Sequence, residues 1–431
     1  MEHQCVNSSS SANYKDFALF AMIRTIWPLL LGMLIVGMTT GLQNTLLSIR
    51  AEMEGFSSAS TGMILAGYFI GFLLGAIRAP KMIHRVGHIR AFAALAALAS
   101  ISILVHAIWV NTGVWFVLRM VSGFCFSAIF VIAESWINAG ATNQNRGKLM
   151  SLYVMMLFGG IGLGQFLLYI GDPRDFIQFT LVSILISAAV IPLLITPTTT
   201  PSFGPPQKMR AGELMRVAPL GIIGCFLMQF AYASLFGLGP VYFSRLGLEL
   251  TQIANLVACL IFGSLCFQFQ LGKLSDRFDR RLVIASCAFA SCAMALWISS
   301  LDNSQILLLY VSYFVFGAVM LPIFSMVVAY TNDYLSKEQM VGASSALVRA
   351  NGQGAICGLL ISGLLMHFVG TQVFFWFIGS LPVVVGCMAL YLRFFDRRQR
   401  QRRASATVML PTQSSESMIK EGLEKQQDSQ D

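Results

Sequence analysis

Apolar runs of about twenty residues recur along the whole chain, and about twenty apolar residues is what an α-helix needs to cross a bilayer. Twelve such runs can be placed, at about 26–47, 61–79, 91–110, 115–137, 149–170, 176–195, 217–243, 250–270, 282–300, 305–329, 342–367 and 371–395. In lipid the backbone N–H and C=O groups must find partners within the segment or in a closed barrel. Barrel strands would be shorter and would alternate in polarity, so these runs predict helices. The composition agrees. Of the 431 residues, 56% are hydrophobic and only 11% are charged, with a mean hydropathy of +0.70. A soluble chain carries roughly 25% charged residues, so this one has too little polar surface to face water. The expected fold class is an all-α membrane protein with twelve transmembrane helices.

The connections divide the chain. Residues 1–25 are expected as a cytoplasmic N-terminal segment, polar to Asp16. The first apolar run has no small-residue cleavage site and reads as a retained span, not a signal peptide. Residues 196–216 hold Pro197, Pro201, Pro205, Pro206 and a threonine run, and separate the runs six and six. They are expected as a cytoplasmic linker between bundles at 26–195 and 217–395. Residues 396–431 are expected to form a disordered, basic cytoplasmic tail.

Basic residues test this map, because cytoplasmic loops carry an excess of Lys and Arg. With the N-terminus in the cytoplasm, 24 of the 29 Lys and Arg fall on the cytoplasmic side. Arg50, Arg174 and Arg245 alone fall on the other, and Arg119 and Arg349 lie within spans. This accounts for the net charge of +9: the cations set topology and meet lipid headgroups. No aromatic residues interleave with them as a nucleic-acid surface would require.

The two halves are similar to each other. The loop after the second run reads Pro80-Lys81-Met82-Ile83-His84-Arg85-Val86-Gly87-His88-Ile89-Arg90. The loop after the eighth reads Gly272-Lys273-Leu274-Ser275-Asp276-Arg277-Phe278-Asp279-Arg280-Arg281. At a shift of 194, Gly123 meets Gly317, Asn138 meets Asn332, Gly160 meets Gly354 and Gly164 meets Gly358. Two six-span halves in the same membrane orientation form a parallel repeat, a transporter architecture with its substrate site between the halves near the midplane.

These loops resemble the signature of the major facilitator superfamily, Gly-x-Leu-x-Asp-Arg-x-x-Arg-Arg. The second copy matches it well. The first has Pro80 for the glycine and His84 for the aspartate. Arg119 to Gly123 resembles the superfamily's Arg-x-x-x-Gly motif. The stretch Arg119–Gln165, with Val131-Ile132-Ala133-Glu134-Ser135, Asn145-Arg146-Gly147-Lys148-Leu149 and Leu163-Gly164-Gln165, is similar to the YcaD-like branch. The resemblance implies two pseudo-symmetric six-helix bundles and a transporter, and names no cargo. It also places Asp276 against the N-terminus of the fifth span, at Asn145, Arg146 and Gly147. Helix dipole and free amides favour an anion there, so Asp276 and Arg146 are candidate partners in a cytoplasmic gate with Arg277, Arg281 and Glu134. The alternative for Asp276 is a solvated loop charge. The mirror contact would fall to His84, Arg85 and Arg90, where a histidine makes the gate weaker and open to control by pH.

Within the spans, Arg119 costs ~2.5–3.5 kcal/mol on insertion scales unless it has a partner or a wet cavity. It is a candidate for binding a substrate anion or for proton coupling, against snorkelling to the interface. Arg349 and Gln353 share a helix face, with Asn351 close by. Gln43, Asn44, Gln165, Gln229 and Tyr232 are candidate cavity groups or interhelical glue. Glu134 is the acid found within a span; it is a candidate proton carrier or a partner of Arg146.

The nine cysteines include no Cys-x-x-Cys pair and read as small buried hydrophobes. No phosphate loop or histidine–cysteine cluster supports ATP-driven pumping, a metal or a cofactor. The expected function is therefore secondary active transport of a small, anionic solute by alternating access, with a proton or sodium as coupling ion. The expected setting is a monomer, without nucleic acid, among the lipids of a bacterial inner (plasma) membrane. A solute sensor that does not transport and a membrane-embedded enzyme are the alternatives; the expected answer is not an enzyme.

Overall fold

The computed structural model describes residues 5–140, 146–195, 211–302, 304–335 and 337–408. Side chains are described within 27–137, 149–194, 212–302, 304–335 and 343–395, together with Gln339. The first half comprises α1 (Cys5–Met53), α2 (Ser58–Val86), α3 (His88–Ile108), α4 (Thr112–Gly140), α5 (Arg146–Phe166) and α6 (Ile177–Ile195). The second comprises α7 (Ala211–Val217), α8 (Pro219–Arg245), α9 (Leu250–Arg277), α10 (Arg280–Ser300), α11 (Ile306–Met320), α12 (Pro322–Asn332), α13 (Lys337–Phe368) and α14 (Val373–Val408). A 3₁₀ turn, Leu167–Tyr169, follows α5. Among the described residues there is no strand.

Eleven spans among the described residues are long and apolar enough to cross a membrane, with α11 and α12 together forming one. The twelfth long helix is α13, whose 32 residues include Arg349, Asn351 and Gln353 in place of an unbroken apolar run. The tenth apolar run is thus broken: α11 ends at Met320 and α12 restarts at Pro322, whose ring supplies no N–H and suits a first helical turn. The stretch expected as a linker contains the short helix α7, and its residues 196–210 lie outside the described residues. Likewise α14 continues to Val408, while 409–431 lie outside them.

Each half has its own apolar core. Met33, Leu42, Phe92, Trp115, Phe126 and Phe179 belong to the first, and Met228, Phe243, Tyr313, Phe316 and Phe375 to the second. Between apolar helices in lipid, packing replaces the hydrophobic effect, and small residues allow close approach. The repeat does this twice at equivalent places. A Cβ on Gly71 would lie 1.8 Å from the Met120 carbonyl oxygen, and one on Gly123 1.8 Å from that of Tyr68. The equivalent α9–α11 crossing shows 2.0 Å for Gly263 on Phe314 and 1.9 Å for Gly317 on Leu260. Gly160 and Gly164 of α5 press on Leu34 and Met38 of α1, as Gly354 and Gly358 of α13 press on Phe226 and Phe230 of α8. The glycine pairs at a shift of 194 are therefore structural equivalents.

These crossings make a direct prediction. Gly123→Ala and Gly317→Ala are each expected to lower stability by about 1–3 kcal/mol through overpacking. Gly159→Ala, where an added Cβ meets nothing within 4 Å, is expected to be silent. Thermal unfolding of the purified variants in detergent compares the three.

Candidate functional site

Two faces of the molecule can be named from its turns. The basic face carries the α2–α3 and α9–α10 turns; at the far face α1 and α8 end and α2 and α9 begin. The candidate site residues are spread between these faces and do not form one cluster.

Arg119 lies about two turns into α4 from the far face and is 2% exposed. Its Nη2 donates to Asn44 Oδ1 of α1 at 3.0 Å, and its guanidinium lies 4.6 Å from the ring centroid of Tyr68 on α2. Its Nε and Nη1 are buried without hydrogen-bond partners, as is Nε2 of Gln43 beside Asn44. Among the described residues no carboxylate pairs with Arg119. His106 of α3 is anchored through Nδ1 at 2.8 Å from the Ser102 carbonyl oxygen. The α1–α2–α4 packing thus holds a cation with two donors to spare, in a position that favours an anion.

Two of the other candidates tie helices together. Gln165 accepts from Thr45 at 2.8 Å and donates to the Gly41 carbonyl at 2.9 Å, tying α5 to α1. The Tyr232 hydroxyl lies 2.8 and 2.6 Å from the carbonyl oxygens of Met320 and Leu321, at the break between α11 and α12. Gln229 is half-buried one turn before it. Arg349 and Gln353 are exposed on one face of α13, and the Oδ1 of Asn351 is buried without a partner. The helix that carries them packs between α2 of one half and α8 of the other.

At the basic face, Asp276 pairs with Arg280 at 2.7 Å, Arg280 also reaches Asp333 at 3.0 Å, and Arg393 reaches Asp279 at 2.9 Å. Arg281 donates to the Leu392 carbonyl at 2.8 Å and to the Tyr334 hydroxyl at 2.9 Å. This network knits α9, α10, α12 and α14 within one half, and Arg277 is exposed beside it. Asn145 lies outside the described residues, as does the side chain of Arg146, so the expected partner of Asp276 across the seam falls there too. Glu134 accepts from the Tyr153 hydroxyl at 3.5 Å. His84, Arg85 and Arg90 are exposed.

Several polar and aromatic contacts join the halves at the far face. Arg245, the last residue of α8, makes a two-pronged pair with Glu52 of α1 at 2.8 and 2.9 Å. Tyr169 donates to Asn255 of α9, and Phe166 stacks on Phe262 at 6.4 Å. Gly363 of α13 meets the first turn of α2, where an added Cβ would lie 2.7 Å from the Ser58 carbonyl oxygen. Sequence reasoning counted Arg245 only as a far-side charge and missed Glu52, Tyr68 and His106. One signal was available: a shift of 192 sets Arg245 on Met53, so Glu52 and Arg245 lie in equivalent last turns.

The sequence profile of the Major Facilitator Superfamily matches residues 29–254 and 246–417. The chain belongs to this superfamily. An uncharacterized MFS-type transporter of Enterobacter sp. (strain 638) is 26% identical over 370 residues, 85% of this chain and 95% of the relative. The uncharacterized MFS-type transporter YcaD of Escherichia fergusonii is 25% identical over 369 residues, with the same coverage of 85% and 95%. Among solved structures, the nucleoside transporter NupG superposes with a TM-score of 0.71 at 12% identity, covering 86% of this chain and 98% of that one. A D-xylose–proton symporter gives 0.64 at 17% identity, with 85% and 96% covered. These likenesses establish the fold: a multi-pass membrane protein of two six-helix bundles.

The superfamily chain thus uses Tyr232 to satisfy carbonyls that a helix break leaves open. Tyr232→Phe is expected to cost about 0.5–1.5 kcal/mol, read as a lowered unfolding midpoint in detergent.

Proposed function

We propose that this protein is a secondary active transporter that carries a small anionic solute by alternating access between its two halves. The basic face and both termini would lie in the cytoplasm of a bacterial inner membrane, as the distribution of Lys and Arg argues. The observation that carries the proposal is the division into two separately packed bundles that meet along α2 with α13 and α5 with α9. At the far face the bundles are joined by the partly exposed Glu52–Arg245 pair, and Arg349 and Gln353 on the seam helix α13 are exposed. A seam of this kind is a bistable element of the sort that rigid-body switching requires. A sensor that does not transport has no need to alternate.

Arg119 supports the anionic cargo. It is a buried cation with donors left over and no carboxylate among the described residues to neutralise it. The solved neighbours are named for nucleosides and for D-xylose with protons, so the shared fold carries no cargo of its own. The enzyme alternative lacks a catalytic constellation, since the expected candidates are dispersed over several helices.

Two outcomes follow. In a thermal-shift screen of small organic anions followed by proteoliposome flux, Arg119→Gln is expected to weaken binding about ten- to a hundredfold, the worth of a charged hydrogen bond. Unchanged binding would remove the anion assignment and leave transport standing; an absence of flux for every solute that binds would favour the sensor. The Glu52–Arg245 pair is partly exposed, at 22% and 26%, so it is worth about 0.2–1 kcal/mol. Glu52→Gln should then raise the far-open population up to about fivefold. Labelling of Asn255→Cys by a membrane-impermeant thiol reagent measures this, and identical labelling rates would rule out a gating role for the pair.

A further inference from the structure

The α2–α3 and α9–α10 turns occupy equivalent places in the repeat, yet they differ in charge balance. In the second, Asp276 and Asp333 hold Arg280, and Asp279 holds Arg393. A shift of 192 sets Asp276 on His84 and Asp279 on Gly87; a shift of 194 sets Asp333 on Ala139. All three carboxylates are therefore missing from the first copy. No Asp or Glu occurs between Glu54 and Glu134.

Lys81 and Arg85, which match Lys273 and Arg277, remain, while Arg280 falls on His88. Arg78, Lys81, Arg85 and Arg90 are exposed, and none has a hydrogen bond or ion pair among the described residues. Arg78, Lys81 and Arg85 follow the i, i+3, i+7 spacing of a single helix face. One turn deeper along α2, Leu74 is 40% and Ile77 64% exposed. The stripe therefore runs from an apolar band at membrane depth directly into three cations at the helix end, with Arg90 just across the turn.

We propose that this stripe is a binding site for an anionic phospholipid of the leaflet at the basic face, with its phosphate on Lys81 and Arg85 and its acyl chain along Leu74 and Ile77. The lipid supplies a negative charge that no carboxylate supplies beside these cations among the described residues. A membrane-embedded apolar band continuous with the cations selects a lipid phosphate over a soluble one, because only the lipid fills both parts. Anionic leaflets attract such clusters by about a factor of five per cation.

The test uses the full chain in nanodiscs and in detergent. Native mass spectrometry and thermal unfolding compare phosphatidylglycerol with phosphatidylcholine at equal mole fraction. The wild type is expected to retain phosphatidylglycerol preferentially, and Lys81→Gln/Arg85→Gln to lose that preference by about fivefold per cation. His84→Asp removes no cation and returns a carboxylate to the site; it is expected to weaken retention as well, which keeps the test valid if the double variant folds poorly. Lys273→Gln/Arg277→Gln, which removes the same charge from the second loop, is expected to retain the preference. Equal retention of the two lipids by the wild type overturns the proposal. So does an equal loss in the second-loop variant, which would make the effect generic charge attraction. Inorganic phosphate that stabilises the protein as well as phosphatidylglycerol does would overturn the lipid assignment.

Discussion

The close approach of helix backbones at glycine is the contact on which the rest of this structure depends. Helices surrounded by lipid gain little by hiding apolar side chains from apolar tails, so they associate by van der Waals contact. Gly71 with Gly123, and Gly263 with Gly317, bring backbones together where even a methyl group would collide with a carbonyl oxygen. Gly160, Gly164, Gly354 and Gly358 do the same on the other side of each bundle. The same seams in both halves make each bundle a close-packed body that resists continuous deformation.

Between the bundles lies a seam. That seam combines the same glycine approach, at Gly62 and Gly363 between α2 and α13, with weaker contacts: an ion pair between Glu52 and Arg245, a hydrogen bond between Tyr169 and Asn255, and stacked rings at Phe166 and Phe262. Surface ion pairs are weak, so such contacts can break without unfolding either half. Buried polar groups follow the same division. Gln165 and Tyr232 spend their hydrogen bonds on backbone within a bundle, and so serve architecture. Arg119 is held on one side by Asn44 and Tyr68 and keeps two donors in reserve.

Duplication produced the symmetry, and substitution has since broken it at the basic face. The second half neutralises its turn internally through Asp276, Asp279 and Asp333. His84 and Gly87 stand in the equivalent turn of the first, beside cations that have no counter-charge among the described residues. The two halves can thus share one backbone plan and still meet the membrane surface differently.

Much of the fold was legible in the sequence, because the constraints behind it are local and periodic. About twenty apolar residues in a row admit only a helix in lipid, and glycines at a fixed shift mark the same crossing twice. Arg119 could be singled out as well, since a charge at membrane depth needs a reason. Its partners could not be read: Asn44 and Tyr68 come from two other helices, and only their packing brings them to one guanidinium. The same holds for Gln165 and Tyr232, whose side chains could equally line a cavity or bind backbone until neighbouring carbonyls are placed. The break at Pro322 and the pairing of Glu52 with Arg245 likewise join groups distant in sequence. By itself, then, the sequence determined the helices, their duplication and the face that is basic, each of which is set by composition over a single turn or span. Tertiary structure alone decided which polar groups are spent within a bundle, which hold the seam and which stay unpaired, because each depends on geometry between helices that no local pattern encodes.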